Sequence, residues 1–509
     1  MTGYDYIVIG AGSAGCVLAS RLSEDGDRTV LLLEAGGADT RPEIHVPAAW
    51  PTLFGSEVDW GYETQPEPML NGRRIRWPRG RVLGGTSSIN GMIYIRGSRH
   101  DFDEWAALGN TGWSYTEVLP YFTRSEDQQR GSSSYHGVGG QLPVSDQVAP
   151  SPLSLAFVEA AAALGHARND DFNGEHQEGA GLFQTTTRNG TRQSTAVTFL
   201  RRAMGRPNLT VATGALVTRV LLDGGRAVGV EYRAEGVTQQ ARAACEVILS
   251  AGALDSPRLL MLSGVGPASQ LQAHGVTVAV DLPGVGENLQ DHPQIAVGYQ
   301  SIHAPPLDPR SNIGEAGLFA HSGVPGGDNR PDLQLHFGPV LFLSQAFMRD
   351  EPGFSMVMML ARPQSRGSVR LTSADPAAPA AFQANYLQSE RDVAALVAGV
   401  RLGRLIAAQA PFDPYRGAEL APGPEIESDE AIRAYIRAAC ECLWHPVGTC
   451  RMGRDRLAVV DPELQVHGLV GLRVVDASVM PTIPTGNTNA ATIMIAERAA
   501  DLIRAAGRR

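Results

Sequence analysis

Two short segments near the end of the 509-residue chain contain side chains suited to moving a proton. In the first, His445 is followed by Pro446, and a proline disfavours helical geometry at the residue before it, so we expect the imidazole on a constrained turn. In the second, Asn487 and Asn489 lie in a turn rich in proline, glycine and asparagine. A neutral histidine can accept a proton near neutral pH because its unperturbed pKa is about 6.5, and an amide can orient an oxygen without titrating. We therefore expect any chemistry of this chain to lie between these two turns.

Structural roles compete with this interpretation. A single histidine is more often structural than catalytic, and asparagine is common in turns and at helix N-caps, which applies more to Asn489 than to Asn487. From pattern alone, both interpretations stay open.

The elements that must position these side chains can be predicted from periodicity. Ser428 and the two acids after it are typical of a helix start, and apolar residues recur at helical spacing through Cys440. We therefore expect a helix that buries Cys440 and ends near His445. Residues 472–476 are typical of a buried strand that ends in an acid, and a helix over 490–506 follows the second turn.

The first 34 residues carry a nucleotide-binding pattern. An apolar strand-like run precedes the glycine motif GAGSAG at 10–15, and a helical pattern follows it. Gly10 would make the tight turn, Gly12 would let the backbone approach a pyrophosphate at the helix N-terminus, and Gly15 would let helix and strand pack closely. A second apolar run ends at Glu34, which is placed to bond a ribose hydroxyl. A glycine-rich turn alone is a weak signal, but the strand–helix–strand context predicts dinucleotide binding, with NAD and FAD both open.

A second loop, over residues 80–90, is rich in glycine and hydroxyl side chains (GRVLGGTSSIN). Free N–H groups and small side chains clustered in this way suit another anionic or polar part of a large cofactor. A long surface loop with turn residues is the alternative that composition leaves open.

The rest of the chain predicts a second architecture. We expect helices over 153–165, 191–203 and 389–410, and the last has Ser389 with Asp392 three residues on, as in a capping box. Residues 295–440 alternate Pro- and Gly-rich loops with strand-like runs, which is typical of an antiparallel sheet with helices. His336 is on the polar phase of one such run, so it either faces a cavity or is an exposed or hydrogen-bonded strand histidine.

Length and composition exclude several classes of protein. The chain exceeds the roughly 250–300 residues at which a single core stops growing, so we expect two domains. The formal net charge of -10 gives no electrostatic reason for a nucleic-acid partner. Five cysteines cannot form a disulfide framework, and Cys440 and Cys442 lack the CxxC spacing, so we expect no metal site. Because no run approaches about 20 apolar residues and the nucleotide-binding pattern leaves no room for a signal sequence, we expect a cytoplasmic enzyme with no membrane span.

Five segments resemble signatures of the glucose-methanol-choline (GMC) oxidoreductases, flavoproteins that oxidise alcohols. They occur in the family's order, at residues 80–90, 252–266, 287–293, 445–453 and 487–503. The resemblance implies an α/β plus α+β fold, in which a Rossmann-like FAD-binding domain is interleaved with a substrate domain built on an antiparallel sheet. The implied segments are 1–155, 205–295 and 445–509 for the FAD-binding domain, and 156–204 and 296–444 for the substrate domain.

The resemblance also implies the roles of single residues. His445 would be the base, and Asn487, in preference to Asn489, the orienting amide. Gln294, His336 and Trp444 would contact the substrate. The residues expected to contact FAD are Gly10, Gly12, Ser13, Ala14, Gly15, Glu34, Arg81, Val82, Gly84, Gly85, Thr86, Asn90, Gly91, Met92, Val217, Ala251, Asp476, Ala477 and Asn489.

Two departures from relatives narrow the prediction. Some relatives attach FAD through a histidine where this chain has Ile89, so we expect non-covalent FAD. Relatives that bind choline carry a glutamate where this chain has Gln294, so we expect an uncharged, primary alcohol, aromatic or aliphatic, oxidised to the aldehyde. The electron acceptor would be O2 or another compound, which leaves oxidase and dehydrogenase open, and the oligomeric state is open too. The alternatives are a hydroxynitrile lyase with a non-redox flavin and an NAD-linked dehydrogenase.

Overall fold

The first strand of the chain is the centre of a seven-stranded mixed sheet. The computed structural model describes residues 2–328 and 330–507. Thr2–Ile9 pairs in parallel with Val30–Leu33 on one side and with Val237–Leu249 on the other. The strand order is Leu209–Ala212, Val30–Leu33, Thr2–Ile9, Val237–Leu249, Arg226–Ala234 and Leu216–Asp223, and Leu472–Val474 also pairs in parallel with Val237–Leu249. Val30–Leu33 is buried throughout, as expected of a parallel strand covered on both faces.

The two ends of the chain pack together on this sheet. Helix Ser13–Leu22, which follows the glycine motif, packs against the final helix, Asn489–Ala506. An ion pair joins them, with 2.8 Å between Arg21 Nη2 and the fully buried Glu497 Oε1. The final turn before Asn489 is therefore held next to the glycine motif.

A second seven-stranded sheet is antiparallel throughout. Its strand order is Arg416–Ala421, Pro293–Ser301, Gly353–Leu360, Leu333–Gly338, Ala316–Ala320 and Gly179–Leu182, and Glu441–Cys442 also pairs with Pro293–Ser301. Helix Glu390–Ala407 packs on this sheet. The predicted fold class is thus confirmed. The domain boundaries stay a prediction. One of them was placed at residue 295, which lies inside strand Pro293–Ser301.

Shorter elements complete the two halves. The other helices are Pro42–His45, Arg99–Ala107, Tyr115–Ser125, Pro152–Ala163, Arg201–Ala203, Gly252–Leu262, Ala268–Ala273 and Asp429–Ala439, with 3-10 turns at Pro47–Leu53, Pro68–Leu70, Gly85–Ser88, Gln345–Phe347, Ala410–Phe412 and Ala477–Val479 and a π turn at Ala196–Leu200. In the described part of the chain, five small two-stranded sheets pair Tyr62–Glu63 with Arg76–Trp77, Glu126–Gln128 with Leu142–Val144, Thr187–Arg188 with Thr191–Arg192, Val265–Gly266 with Val280–Asp281, and Ser368–Arg370 with Ala381–Gln383. Among the described residues, none of the helices has both the length and the apolar character needed to cross a bilayer.

Two predicted helices differ from the structure. The helix predicted over 191–203 begins only at Ala196, because Thr191–Arg192 pairs as a strand and the buried Arg192 guanidinium donates to Ile44 O and Asn90 O. Tertiary contacts of one side chain override the helical pattern there.

The helix that starts after Ser428 ends at Ala439, earlier than predicted. Ser428 Oγ does accept the Ala431 N–H at 3.1 Å, as its cap position predicts, and Cys440 is buried as expected. The early end follows from sheet pairing, since Glu441–Cys442 joins Pro293–Ser301. His445 is consequently carried by a strand edge and not by a helix end.

Candidate active site

One cavity is lined by residues from both halves of the molecule. From the mixed sheet, the lining includes Ile9, Glu34 and Ser250, at the carboxyl ends of the parallel strands. From the antiparallel sheet, it includes His336 and Val357. Ligands of open α/β sheets bind at the carboxyl ends of the strands, so the cavity lies where a cofactor is expected.

The glycine motif has the geometry predicted for it. Gly10 has a φ of +94°, which a tight turn requires and which glycine adopts without strain. A Cβ at Gly15 would lie 1.8 Å from Gly10 O, so only glycine allows helix and strand to approach this closely. A Cβ at Gly12 would meet no atom within 4 Å, and Gly12, Ser13 and Ala14 all line the cavity. The helix N-terminus therefore faces open space that suits an anion.

Glu34 follows the second strand and lines the cavity. Its Oε2 accepts the Ala11 N–H and its Oε1 accepts the Gly36 N–H, both at 2.8 Å. Burial nevertheless raises the pKa of the carboxyl to about 7. Each oxygen keeps a further lone pair, so the side chain is able to accept from a ribose hydroxyl, and that contact stays a prediction.

The loop over residues 80–90 meets the glycine motif. Gly85 sits so close to Gly12 that a Cβ added to Gly85 would lie 2.6 Å from Gly12 Cα. Of the residues expected to contact FAD here, those that line the cavity are Gly85, Thr86, Asn90, Gly91 and Met92. The two glycine-rich loops thus contact each other, and both line the cavity.

Four residues predicted to contact FAD do not line the cavity. Gly15 packs behind the turn, and Val82 is fully buried among apolar side chains. Arg81 places its guanidinium over the Trp60 ring, 4.9 Å from the centroid. The Gly84 N–H donates to Ala11 O at 2.8 Å. Of these four residues, Gly84 joins the two glycine-rich loops directly through this hydrogen bond.

The remaining predicted FAD contacts also line the cavity, and they are Val217, Ala251, Asp476, Ala477 and Asn489. Asp476 Oδ2 accepts the Gly252 N–H at 2.9 Å, and its Oδ1 accepts the Ser478 N–H at 2.8 Å. The Ser13 hydroxyl donates to Asn489 Oδ1 at 2.7 Å, which ties the final turn to the glycine motif.

His445 lies in a bulge of one backbone segment where it pairs with another. Gln290 and Val447 exchange both backbone hydrogen bonds, and the Leu443 N–H donates to His292 O at 3.0 Å. Three residues on one segment, Trp444 to Pro446, therefore face the single residue Asp291 on the other. Trp444 has a φ of +59°, in the left-handed region that bulky residues rarely adopt.

Asp291 fills the space under the bulge. Its Oδ1 accepts the His445 N–H at 2.6 Å and the His292 N–H at 2.8 Å, and its Oδ2 accepts the Tyr386 hydroxyl. Burial raises the pKa of the Asp291 carboxyl above its usual range. One carboxylate oxygen therefore fixes the backbones of two histidines that are far apart in sequence.

The His445 ring has a polar neighbour on each side. Its Nδ1 lies 3.0 Å from His292 Nδ1, and its Nε2 lies 3.3 Å from Asn487 Nδ2. Desolvation, and then the positive charges that His292, His336 and Arg79 can carry, hold the pKa of His445 well below its usual value. The imidazole is neutral at neutral pH and can accept a proton.

His336 also lines the cavity and is buried, so the interpretation of an exposed strand histidine is wrong. Its Nε2 lies 3.1 Å from Gln334 Nε2, which in turn lies 3.4 Å from Asn487 Oδ1. Burial lowers the pKa of His336 to about 4, and its Nδ1 has no hydrogen-bond partner among the described residues. A buried ring nitrogen of this kind is available to a ligand.

Four aromatic rings, which we call the aromatic cluster, line the cavity beside His445: Trp50, Phe54, Phe342 and Trp444. Phe54 and Trp444 meet edge to face at 4.8 Å between centroids, and Trp50 lies 5.3 Å from Phe54 and 6.1 Å from Trp444. Such rings supply large apolar area with defined geometry. Trp444 thus lines the cavity, and its contact with a substrate stays a prediction.

Gln294 is not at this cavity. It is buried and lines a second, neighbouring pocket, across the strand pair from Glu441. Phe54, Phe342 and Trp444 line both pockets, so they stand between Gln294 and the cavity. The structure therefore gives Gln294 no direct contact with a ligand beside His445.

Several residues at the site were not singled out from the sequence: Trp50, Arg79, Asp291, His292, Gln334 and Phe342. Asp291 and His292 belong to the 287–293 segment that resembles the family, which was a usable signal. Arg79 donates to Trp444 O and Gln334 to the Asn487 side chain, and no spacing rule connects residues so far apart.

The lining of the cavity suits the pyrophosphate and ribose of FAD. The exposed backbone at Gly12, the uncapped start of helix Ser13–Leu22 and the acceptor at Glu34 suit a pyrophosphate and a ribose. No group of three His, Cys, Asp or Glu side chains is arranged to hold a metal ion within residues 2–328 and 330–507.

Comparison with known proteins identifies the family. The N-terminal and C-terminal models of the GMC oxidoreductases match residues 4–294 and 363–496. An "Alcohol dehydrogenase [acceptor]" of Pseudomonas putida is 44% identical over 529 residues, covering 98% of this chain and 95% of that protein. An "Oxygen-dependent choline dehydrogenase" of Photobacterium profundum is also 44% identical, over 531 residues that cover 99% of this chain and 93% of that protein.

A solved structure supports the same assignment. The crystal structure of "pyridoxine 4-oxidase from Mesorbium loti" superposes with a TM-score of 0.94 at 36% identity and covers 99% of both chains. The glycine motif, the second loop and the paired turns around His445 all fall within the matched regions. The chain is therefore a GMC oxidoreductase, an FAD-dependent enzyme that acts on CH–OH groups.

Proposed function

We propose that this enzyme oxidises an uncharged primary alcohol, aromatic or aliphatic, to the aldehyde, with His445 as the base and Asn487 as the orienting amide. The observation that carries the proposal is the neutral His445 ring, whose Nε2 faces the cavity 3.3 Å from the Asn487 amide. A general base has to lie within hydrogen-bond reach of the proton it takes, and this nitrogen is at the cavity wall.

The reaction removes a proton from the hydroxyl and a hydride from the carbon that bears it. Bound FAD supplies the acceptor for the hydride. His445 Nε2 accepts the hydroxyl proton, and the C–O single bond becomes the C=O bond of the aldehyde. Asn487 Nδ2 and the unpartnered His336 Nδ1 are the polar groups that can hold the substrate oxygen while the proton leaves.

The charge of the cavity supports an uncharged substrate. Among the described residues, three carboxylates line it, and each is engaged in the dinucleotide-binding half: Glu34 with backbone N–H groups, Asp255 with Tyr62 and Arg258, and Asp476 with Gly252 and Ser256. The aromatic cluster beside His445 offers apolar area without a carboxylate. Aromatic rings can also bind a quaternary ammonium, so choline is the competing substrate to test.

The cofactor is proposed to be held without a covalent bond. Ile89, at the position where some relatives carry a histidine, is fully buried among Ile44, Leu53, Val58 and Val82. An aliphatic side chain there can form no bond to the flavin. Reoxidation by O2 or by another electron acceptor, and a cytoplasmic location, belong to the same proposal.

The experiment is anaerobic mixing of the holoenzyme with a panel of alcohols, scored by loss of the oxidised-flavin absorbance. Uncharged aromatic and aliphatic primary alcohols should bleach the flavin faster than choline does. Faster bleaching by choline would overturn the substrate class, and no bleaching by any alcohol would overturn the oxidation itself and call for an assay of hydroxynitrile cleavage. Oxygen is then admitted to distinguish an oxidase from an enzyme that uses another electron acceptor. Fast reoxidation of the flavin with release of peroxide indicates an oxidase.

A further inference from the structure

The proton positions around His445 can be derived from one backbone carbonyl. His292 Nε2 lies 3.0 Å from Ala361 O, and a carbonyl oxygen only accepts, so this nitrogen carries the hydrogen. His292 is fully buried, and burial lowers its pKa to about 3, so the ring is neutral and has one N–H. The other nitrogen, His292 Nδ1, is therefore a bare acceptor.

That acceptor faces His445. The two Nδ1 atoms are 3.0 Å apart, a distance at which one of them has to carry a hydrogen. Because His292 Nδ1 is bare, the hydrogen is on His445 Nδ1. The neutral His445 ring has no second hydrogen, so its Nε2 is bare.

The groups on the cavity side agree with this assignment. Asn487 Nδ2 donates to the bare His445 Nε2 at 3.3 Å, which leaves Asn487 Oδ1 to accept from Gln334 Nε2 at 3.4 Å. The second hydrogen of Gln334 Nε2 goes to His336 Nε2 at 3.1 Å. In the opposite arrangement, each donor of these hydrogen bonds would become the acceptor, and Ala361 O would face a His292 nitrogen without a hydrogen. Only the first arrangement gives each of these contacts one donor and one acceptor.

We propose that His292 is a positioning residue that sets the tautomer of His445, holding its proton on Nδ1 so that Nε2 is the basic atom. An imidazole in the other tautomer would present an N–H to the substrate hydroxyl and could not take its proton. His292 does not line the cavity, so it acts through His445 and not on the substrate. The inference rests on the proposed function and names the atom that carries out its first step.

Asp291 supplies the rigidity that this role requires. Its Oδ1 accepts the backbone N–H groups of both His292 and His445, so the two rings are held from the same oxygen. The Leu443 N–H also donates to His292 O. The contact between rings 153 positions apart is therefore fixed at the backbone and does not depend on the side chains alone.

The first test compares two substitutions in the FAD-loaded enzyme. His292→Leu replaces the imidazole with an apolar side chain and so removes the acceptor at Nδ1. His292→Asn places an amide oxygen near the former position of that Nδ1 atom. Flavin reduction by a saturating alcohol should slow by about 100-fold or more in the leucine variant, the scale of a lost general base, and recover to within about 10-fold in the asparagine variant. The alcohol concentration for half-maximal rate should change little in either. A structural role would not distinguish the two variants in this way.

The second test needs no alcohol and reads the tautomer directly. In the holoenzyme labelled with ¹⁵N-histidine, His445 Nδ1 should show the shift of a protonated ring nitrogen and Nε2 that of an unprotonated one, with His445→Ala used for assignment. His292→Leu should move protonation to Nε2. Protonated Nε2 in the native enzyme overturns the proposal, even if the leucine variant fails to fold. If the tautomer is as stated and no alcohol reduces the flavin, the proposed function fails and this inference stands.

Discussion

The Nδ2 atom of Asn487 lies 3.3 Å from the Nε2 atom of His445, although 42 positions separate the two residues. His445 is brought there by the bulge over Asp291, and Asn487 by the turn that precedes the final helix. The base and the amide thus come from the ends of two different elements, so each can be changed without rebuilding the other.

Removal of the imidazole should abolish proton abstraction. We expect His445→Ala to slow flavin reduction by roughly 100-fold or more, the scale of a lost general base. Anaerobic stopped-flow absorbance measures this rate, and His303→Ala, at an exposed histidine, is the matched control. A variant that reduces its flavin at the native rate would remove His445 from the mechanism.

The two asparagines of the final turn should have separable roles. Asn487→Ala removes the donor to His445 Nε2, and we expect flavin reduction to slow by about 10-fold, the scale of one hydrogen bond to a reacting group. Asn489→Ala removes the acceptor of the Ser13 hydroxyl, and we expect weaker FAD retention with a nearly unchanged reduction rate. Rates and FAD-to-protein ratios of both variants check this, and the opposite pattern would exchange the two assignments.

The pH dependence should reflect the low pKa of His445. The neutral ring is the active form, and desolvation, helped by His292, His336 and Arg79, moves its pKa well below 6.5. Asp291, the acid that faces the His445 backbone, has its own pKa raised by burial. The rate of flavin reduction should therefore stay level as the pH falls through 6.5 and decrease only at lower pH. If the rate of flavin reduction instead falls with a midpoint at or above pH 6.5, the site does not lower the pKa of His445 and the expectation is wrong.

The flavin should be released by denaturation. Because Ile89 offers no atom for a covalent bond, acid precipitation should leave all of the FAD in the supernatant. Absorbance of supernatant and pellet measures the partition. Flavin retained in the washed pellet would point to attachment at another side chain.

The parts of the molecule with local signals were predictable. The glycine motif, Glu34 at the end of the second strand and the Ser428 helix start each depend on residues close together in sequence, and the structure has them as expected. Backbone pairing between distant segments was not predictable. The bulge at His445 exists because Glu441–Cys442 pairs with Pro293–Ser301, and no helical or strand period reports such a partner.

Gln294 illustrates the same limit. Its position next to a family segment suggested a substrate contact, but the side chain lines the neighbouring pocket, behind Phe342 and Trp444. Alternation along one strand predicts which face a residue occupies, whereas the separation of two adjacent pockets depends on rings contributed by other segments.

The aromatic cluster has a consequence for laboratory evolution of this enzyme. Trp50 and Phe54 belong to the turn at Pro47–Leu53 and the residue after it, and Phe342 belongs to a loop between two strands of the antiparallel sheet. In the part of the chain that the structure describes, neither of these two segments takes part in the hydrogen bonds that fix His445. Libraries of substitutions at positions 50, 54 and 342 should thus change which alcohols the enzyme accepts without disturbing the position of His445. Trp444 should be kept, because it is adjacent to His445 in the chain.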